Sequence, residues 1–420
     1  MSSLRTRISP ITHGIITYRA MSTAARSPVK VQQIASPAPK LSADKSHHVG
    51  NPRTAFTNPW PSAGTKAGLG EIFSLRFGSG HPEKKFVPVP QGPNGSRSQE
   101  LVRVVKSDWG AKYPSKLRTT WLGHAGFMVE TPIPKGADRG MRILFDPVFS
   151  ERTSPSQLFG PKRYSPPPCT LEELPIPDII CISHNHYDHL DFATVASLWK
   201  RSNGSIHFIT PLGTKPWFET HLSVPASQIS DPDWWDSYTI TLSSPSDSVK
   251  ITATPAQHTS GRTISDKDKS LWCGYTLHHT LSKKSLYFAG DTAYQAQSTS
   301  SPCPAFKQIG QTLGPFDLAL LPIGLMTPAS FMGGVHATPE QSLIVHGEVK
   351  AKLSIGMHYG TVRGGLSGQF EAVTDPPRRW RAAAMKANLW AGGGVEGDGE
   401  AIEVAGGGVG LCNIGETVSV

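Results

Sequence analysis

The sequence predicts an α/β chain of two packed, mixed β-sheets flanked by helices, and three observations predict it. From about residue 117 onward, short β-branched or apolar runs recur between turn signals. Helical patterns fall between only some of those runs, so strands outnumber helices and must cover one another. The chain has 420 residues, 38% of them hydrophobic and 17% charged, which is enough to bury a sizeable core.

The expected strands lie near residues 119–130, 142–145, 178–183, 206–210, 249–254, 271–277, 285–289, 318–322 and 353–357. The expected helices lie near 192–201, 305–313 and 339–350. The last has a defined start. Thr338 is suited to the N-cap, Pro339 to the first helical position, and Gln341 completes a capping box. Residues 295–304 are rich in Ser and Gln and residues 391–410 in Gly, so both read as surface-loop insertions in a main domain spanning 117–420. Residues 56–116 read as an extension packing on that domain. In it, the apolar cluster Ile72, Phe73, Leu75 and Phe77, with Arg76, suits core packing before membrane docking.

Residues 1–55 lack periodicity and read as disordered. The formal charge is +9, but Arg5, Arg7, Arg19, Arg26, Lys30 and Lys40 lie in the first 43 residues with no acid among them. Most of the basicity is therefore a tail property, which argues against a nucleic-acid partner. An Arg- and Ser-rich, acid-free N-terminus resembles a mitochondrial targeting segment, and no compact apolar run follows its first arginines as a secretory signal requires. The five cysteines form no C-x-x-C pair, which fits idle thiols in a reducing compartment. No run of eighteen apolar residues suggests a membrane-spanning helix.

The chemistry centres on Ser183-His184-Asn185-His186-Tyr187-Asp188-His189-Leu190-Asp191. His184, His186, Asp188 and His189 crowd six consecutive positions, after an apolar run and before a helical pattern. A straight strand sends alternate side chains to opposite faces, whereas a strand-to-helix turn can fan all four around two adjacent ions. Three further segments end strands on a donor: residues 252–258 on His258, residues 286–291 on Asp291, and residues 354–358 on His358. Each alone would read as a hydrogen-bonded structural residue. Together they fill two sites: His184, His186 and His258 in one, Asp188, His189 and His358 in the other, with Asp291 bridging. Imidazole and carboxylate ligands suit two Zn2+, with iron and manganese as alternatives. Two such ions can hold a bridging hydroxide as nucleophile and clamp the oxygens of a phosphate.

H-x-H-x-D-H with the downstream His, Asp and His resembles the metallo-β-lactamase superfamily. A narrower resemblance runs through Thr120-Trp121-Leu122-Gly123-His124-Ala125, Asp146-Pro147, Ser154-Pro155-Ser156-Gln157, Gly160-Pro161-Lys162-Arg163, Asp233-Trp234-Trp235, Gly314-Pro315-Phe316-Asp317 and His358-Tyr359-Gly360-Thr361. These segments are similar to the N-acyl-phosphatidylethanolamine-hydrolysing phospholipase D family, over about residues 58–361. That resemblance implies an αββα sandwich of the metallo-β-lactamase type, two zincs and a membrane-facing cavity. It also implies hydrolysis of N-acyl-phosphatidylethanolamine to an N-acylethanolamine and phosphatidic acid. On the same ground, His336 lines the active site, where it positions the phosphate or protonates the leaving group, close to the positive end of the helix that Thr338 caps. Tyr187 either meets a substrate oxygen or packs under the metal loop. Animal members carry glutamine where this chain has Val335, so head-group contacts are expected to differ.

The implied partners are a phospholipid substrate and a membrane surface, bound peripherally in the mitochondrion or on the cytoplasmic face of an intracellular membrane; a homodimer stays open. Two alternatives also stay open. One is another hydrolase of the superfamily, a lactonase or nuclease. The other is a non-catalytic lipid-binding scaffold with structural zinc.

Overall fold

The computed structural model describes residues 29–37, 45–65, 69–78, 84, 87–89, 102–242, 247–364, 367–393 and 407–420. Two mixed sheets dominate it. The nine-stranded sheet runs, edge to edge, Val29–Ile34, Ser237–Leu242, Ser248–Thr254, Gly274–His279, Ser285–Phe288, Phe316–Pro322, Ala351–Met357, Gly408–Gly410 and Trp390–Gly392. The seven-stranded sheet runs Thr417–Ser419, Arg118–Gly123, Gly126–Glu130, Arg142–Phe145, Ile179–Cys181, His207–Ile209 and Ile229–Ser230. In each, an antiparallel half meets a parallel half.

Side-chain alternation sorts the core. Trp121, Phe127, Phe145, Ile179 and Cys181 face inward and pack with Ile251, Tyr275, Leu286, Phe288 and Leu320 of the other sheet. Their neighbours Leu122, Met128, Leu144, Ile180 and Phe208 face outward and pack with Val195 and Leu198 of helix Phe192–Arg201. A sheet buried on both faces needs near-continuous apolar strands, which is why these runs were legible. Helix Pro339–Glu348 begins as predicted, with Thr338 and Gln341 forming the capping box. Helices Lys215–Leu222 and Asp375–Lys386 complete the outer layers.

Several expectations are corrected. The disorder expected through residue 55 does not hold for Val29–Ile34, which pairs antiparallel with Ser237–Leu242, nor for residues 45–56, which pack against the domain. The targeting character assigned to the first residues falls outside the described ones for residues 1–28. The glycine-rich stretch is not a loop at its two ends, since Gly408–Gly410 pairs with Ala351–Met357 and with the edge strand Trp390–Gly392; residues 394–406 lie outside the described ones. Core packing holds for Leu75, but Phe73 and Phe77 lie side by side on the surface, with ring centroids 4.9 Å apart. The side chains of Ile72 and Arg76 lie outside the described ones. The 295–304 insertion is a surface loop pinned at both ends, by Ala296 N–H to Ser62 O and Cys303 N–H to Tyr294 O.

Candidate metal centre

Strand ends deliver the donors. Strand Ile179–Cys181 leads through Ser183 into the loop that carries His184, His186, Asp188 and His189, and this loop turns directly into helix Phe192–Arg201. Asp191 holds the turn: its carboxylate accepts the backbone N–H groups of Phe149 and Ser150 and the hydroxyls of Ser150 and Thr194. Strands Ser248–Thr254, Ser285–Phe288 and Ala351–Met357 lead to His258, Asp291 and His358 at the same edge. Just before Asp291 the chain passes Ser183 so closely that Gly290, at φ +61°, has no room for a side chain. A Cβ there would stand 2.8 Å from Ser183 Cβ.

The donors converge on one edge, where two neighbouring groups can be distinguished. In one, His184 Nε2 and His258 Nε2 lie 2.8 and 3.3 Å from His186 Nδ1. In the other, His189 Nε2 and His358 Nε2 are 3.2 Å apart, with Asp188 Oδ2 at 3.9 and 3.8 Å from them. Asp291 reaches both. Its Oδ2 is 3.1 Å from His189 Nε2 and 3.6 Å from His258 Nε2, and its Oδ1 is 3.0 Å from His358 Nε2.

An outer layer aims these rings. His258 Nδ1 lies 2.8 Å from the Val335 carbonyl and donates to it, leaving the Nε2 lone pair turned inward. His189 Nδ1 lies 2.7 Å from Asp146 Oδ2, and Asp146 in turn accepts both the N–H and the hydroxyl of Ser183. Burial holds His184 and His258 well below the usual imidazole range, so both offer lone pairs at neutral pH. Burial would raise Asp188 and Asp291, but the facing imidazoles, His189 first, hold both well below the ordinary carboxylate range. His189 and His358 show the complement. Burial lowers them, yet Asp291 ahead of the other partners raises both, His358 to about 9. A divalent cation answers the same carboxylate charge in place of those protons. Five imidazoles and two carboxylates converging in this way fit bound metal ions.

Three further side chains complete the surroundings. His336 is buried beside both groups, its ring centroid 5.1 Å from that of His258 and 5.3 Å from that of His358. Burial holds it down to about 4, so it is a neutral imidazole at pH 7. Tyr187 turns away from the donors. The Arg262 guanidinium stacks over its ring at 3.9 Å, and both line a cavity of about 370 Å³ with Phe192, Trp217 and His221. His124 is the residue that sequence reasoning missed, since it falls within the Thr120–Ala125 motif but carries no ligand signal of its own. It sits at φ +52° in the turn after strand Arg118–Gly123, only 1% exposed, with Nε2 3.0 Å from Asp188 Oδ2. Its carbonyl accepts the N–H of His358 at 3.0 Å, tying it to a second donor.

A family model described as "Beta-lactamase superfamily domain" matches residues 141–359. The chain is 37% identical over 314 residues to N-acyl-phosphatidylethanolamine-hydrolyzing phospholipase D 1 of Caenorhabditis elegans, covering 74% of this chain and 80% of that protein. It is 33% identical over 269 residues to the mitochondrial N-acyl-phosphatidylethanolamine-hydrolyzing phospholipase D of Saccharomyces cerevisiae, covering 64% of this chain and 52% of that protein. Among solved structures, a metallo hydrolase of the archaeon Ignicoccus hospitalis aligns at TM-score 0.45 and 22% identity, over 73% of this chain and 98% of that one. The donor set, the family model and the two phospholipase D relatives make the protein a metal-dependent hydrolase of metallo-β-lactamase fold. The chain belongs to the N-acyl-phosphatidylethanolamine-hydrolysing phospholipase D family of the metallo-β-lactamase superfamily.

Proposed function

We propose that the protein is a dinuclear zinc phosphodiesterase that hydrolyses N-acyl-phosphatidylethanolamine to an N-acylethanolamine and phosphatidic acid at a mitochondrial membrane. The observation that carries this reading is the pair of donor groups sharing Asp291 with a neutral, buried histidine alongside. In the hydrolysis, the oxygen of water bonds to phosphorus, the bond from phosphorus to the ethanolamine oxygen breaks, and that oxygen leaves protonated. When bound, the two ions supply a water nucleophile ionised near neutral pH and neutralise charge on the phosphoryl oxygens. The protein's own part is to hold the phosphate. His336 stands two residues before the Thr338 N-cap, so its ring N–H and the positive end of helix Pro339–Glu348 favour the same anion. A neutral imidazole suits that positioning role rather than proton donation from an imidazolium. Tyr187 and Arg262 bear on substrate through the adjoining cavity wall.

Attachment to a lipid surface is supported by the loops that flank the metal loop. Leu158 and Phe159 are 78% and 75% exposed, on a loop that shares the Tyr187 cavity, and Ile264 is fully exposed two residues after Arg262. Exposed apolar side chains on loops that border one cavity suit a binding face. No helix among the described residues is long and apolar enough to cross a membrane, so attachment through this face would be peripheral. The names of the two relatives support the lipid substrate, and that of the yeast protein supports the mitochondrial location.

The test offers the zinc-loaded protein an N-acyl-phosphatidylethanolamine vesicle, a lactone and a small RNA in parallel. Release of N-acylethanolamine with phosphatidic acid, abolished in Asp188→Ala and His258→Ala together with loss of bound zinc, is the expected outcome. Turnover of the lactone or RNA alone would transfer the protein to another hydrolase of the superfamily. One zinc ion or none per chain, with no turnover of any substrate, would favour a scaffold.

A further inference from the structure

Residues 45–63 lie outside the matched domain, yet they bond to the segment that carries His258. The grip begins at Asp233, which gathers the Lys45 ammonium at 2.8 Å, His47 Nε2 at 2.7 Å and His48 Nε2 at 2.8 Å. The cluster has the composition of a cation site, but the Lys45 charge already answers Asp233, and the Trp234 N–H also donates to its carboxylate. It therefore serves as an anchor. Stacked rings extend the anchor: His47 lies 4.1 Å from Trp234, and Trp60 stacks on the same indole at 5.3 Å with the planes 6° apart. Backbone bonds from Thr57 N–H to His47 O and from Phe56 N–H to Asp268 O fix the path between them.

The anchored segment then reaches a metal donor. Asn58 Nδ2 donates to the His258 carbonyl at 2.8 Å, and Asn58 Oδ1 accepts the His258 N–H at 3.2 Å. One side-chain amide thus closes both backbone groups of His258, much as a neighbouring strand would. Four residues on, the Ser62 hydroxyl donates to Gln257 Oε1, and Gln257 Nε2 donates to Gly334 O. Gly334 precedes Val335, whose carbonyl sets the His258 ring, and His336 follows. Backbone and ring of one donor are therefore fixed by the same segment, directly and through Gln257.

We propose that Asn58, held by the Asp233 anchor, is a positioning residue for His258, so that residues 45–63 form part of the metal centre. The inference rests on the reading that His258 binds an ion. Outer-layer partners of this kind are worth about tenfold to a hundredfold in metal affinity. Zinc affinity of the full chain is measured by competition with a chromophoric chelator, alongside thermal unfolding of the metal-free protein. In Asn58→Ala, one of two affinities is expected to fall at least about tenfold while the other stays within about twofold, a split that general destabilisation does not produce. Asp233→Asn is expected to weaken the same ion by a smaller factor. Unchanged affinities in Asn58→Ala overturn the proposal, as does equal weakening of both ions. Should that variant fail to fold, amide hydrogen exchange on the unmodified chain decides. Coupling is reciprocal, so zinc must slow exchange in residues 54–63, and no change on adding zinc overturns the proposal. Fewer than two zinc ions on the unmodified chain would count against the dinuclear reading instead.

Discussion

Replacing His124 by alanine should weaken one ion and spare the other. His124 is buried, and burial holds it down to about 4, so at neutral pH its ring carries a single N–H. With Nε2 3.0 Å from Asp188 Oδ2, that N–H belongs on the carboxylate. A hydrogen bond to a charged partner contributes about 1.5–3 kcal/mol. At about 1.4 kcal/mol per factor of ten, His124→Ala should cost the ion held by Asp188, His189 and His358 about tenfold to a hundredfold in affinity. Truncating the ring also leaves a void, which lowers the stability of the metal-free protein independently. Chelator competition therefore has to be read beside the unfolding temperature of the metal-free form. His124→Gln keeps an N–H donor and should recover much of the affinity. Zinc affinities in His124→Ala equal to those of the unmodified chain would refute the argument. Loss of the ion in His124→Gln as severe as in His124→Ala would show that the imidazole ligates directly rather than positioning Asp188.

Other expectations follow from the same geometry. Gly290→Ala forces a Cβ to within 2.8 Å of Ser183 Cβ at φ +61°, so stability should fall by about 1–3 kcal/mol, read from urea midpoints. His207 is buried on Ser230 Oγ, and burial lowers it from 6.5 to about 4. A depressed folded value means that its contribution is complete above 6.5 and is lost as the pH falls toward 4, at a cost of about 2 kcal/mol by pH 5. His207→Asn should flatten that part of the stability profile between pH 7 and 5; an unchanged slope would count against the assignment. Changing Leu158 and Phe159 together to serine should reduce sedimentation with phospholipid vesicles while leaving thermal stability within about 0.5 kcal/mol, as surface changes do. Binding that persists undiminished would move the lipid face elsewhere.

The donors were legible because they are dense and because each ends an apolar run. His184, His186, Asp188 and His189 within six positions are hard to reconcile with an ordinary surface loop, and strand ends in a layered sheet share an edge. His124 carried no such signal, since a single histidine in a hairpin turn looks the same whether it serves a metal centre or only its own loop. The N-terminal segment misled for a different reason. Its Ser, Ala, Pro and Lys content reads as solvated chain, yet Val29–Ile34 is held at the sheet edge by backbone hydrogen bonds that depend little on side-chain type. His47 and His48 gained meaning only through Asp233, nearly two hundred residues away. The ends of the glycine-rich stretch pair for the same backbone reason. Long-range partners of this kind leave no local periodicity to read.

The most direct test of the dinuclear reading is a zinc titration of the metal-stripped chain, following N-acylethanolamine release from N-acyl-phosphatidylethanolamine vesicles. The two donor groups joined by Asp291 predict that turnover rises to its plateau as the second equivalent of zinc binds. Full turnover with one equivalent or none, or no release at any zinc concentration, would contradict it.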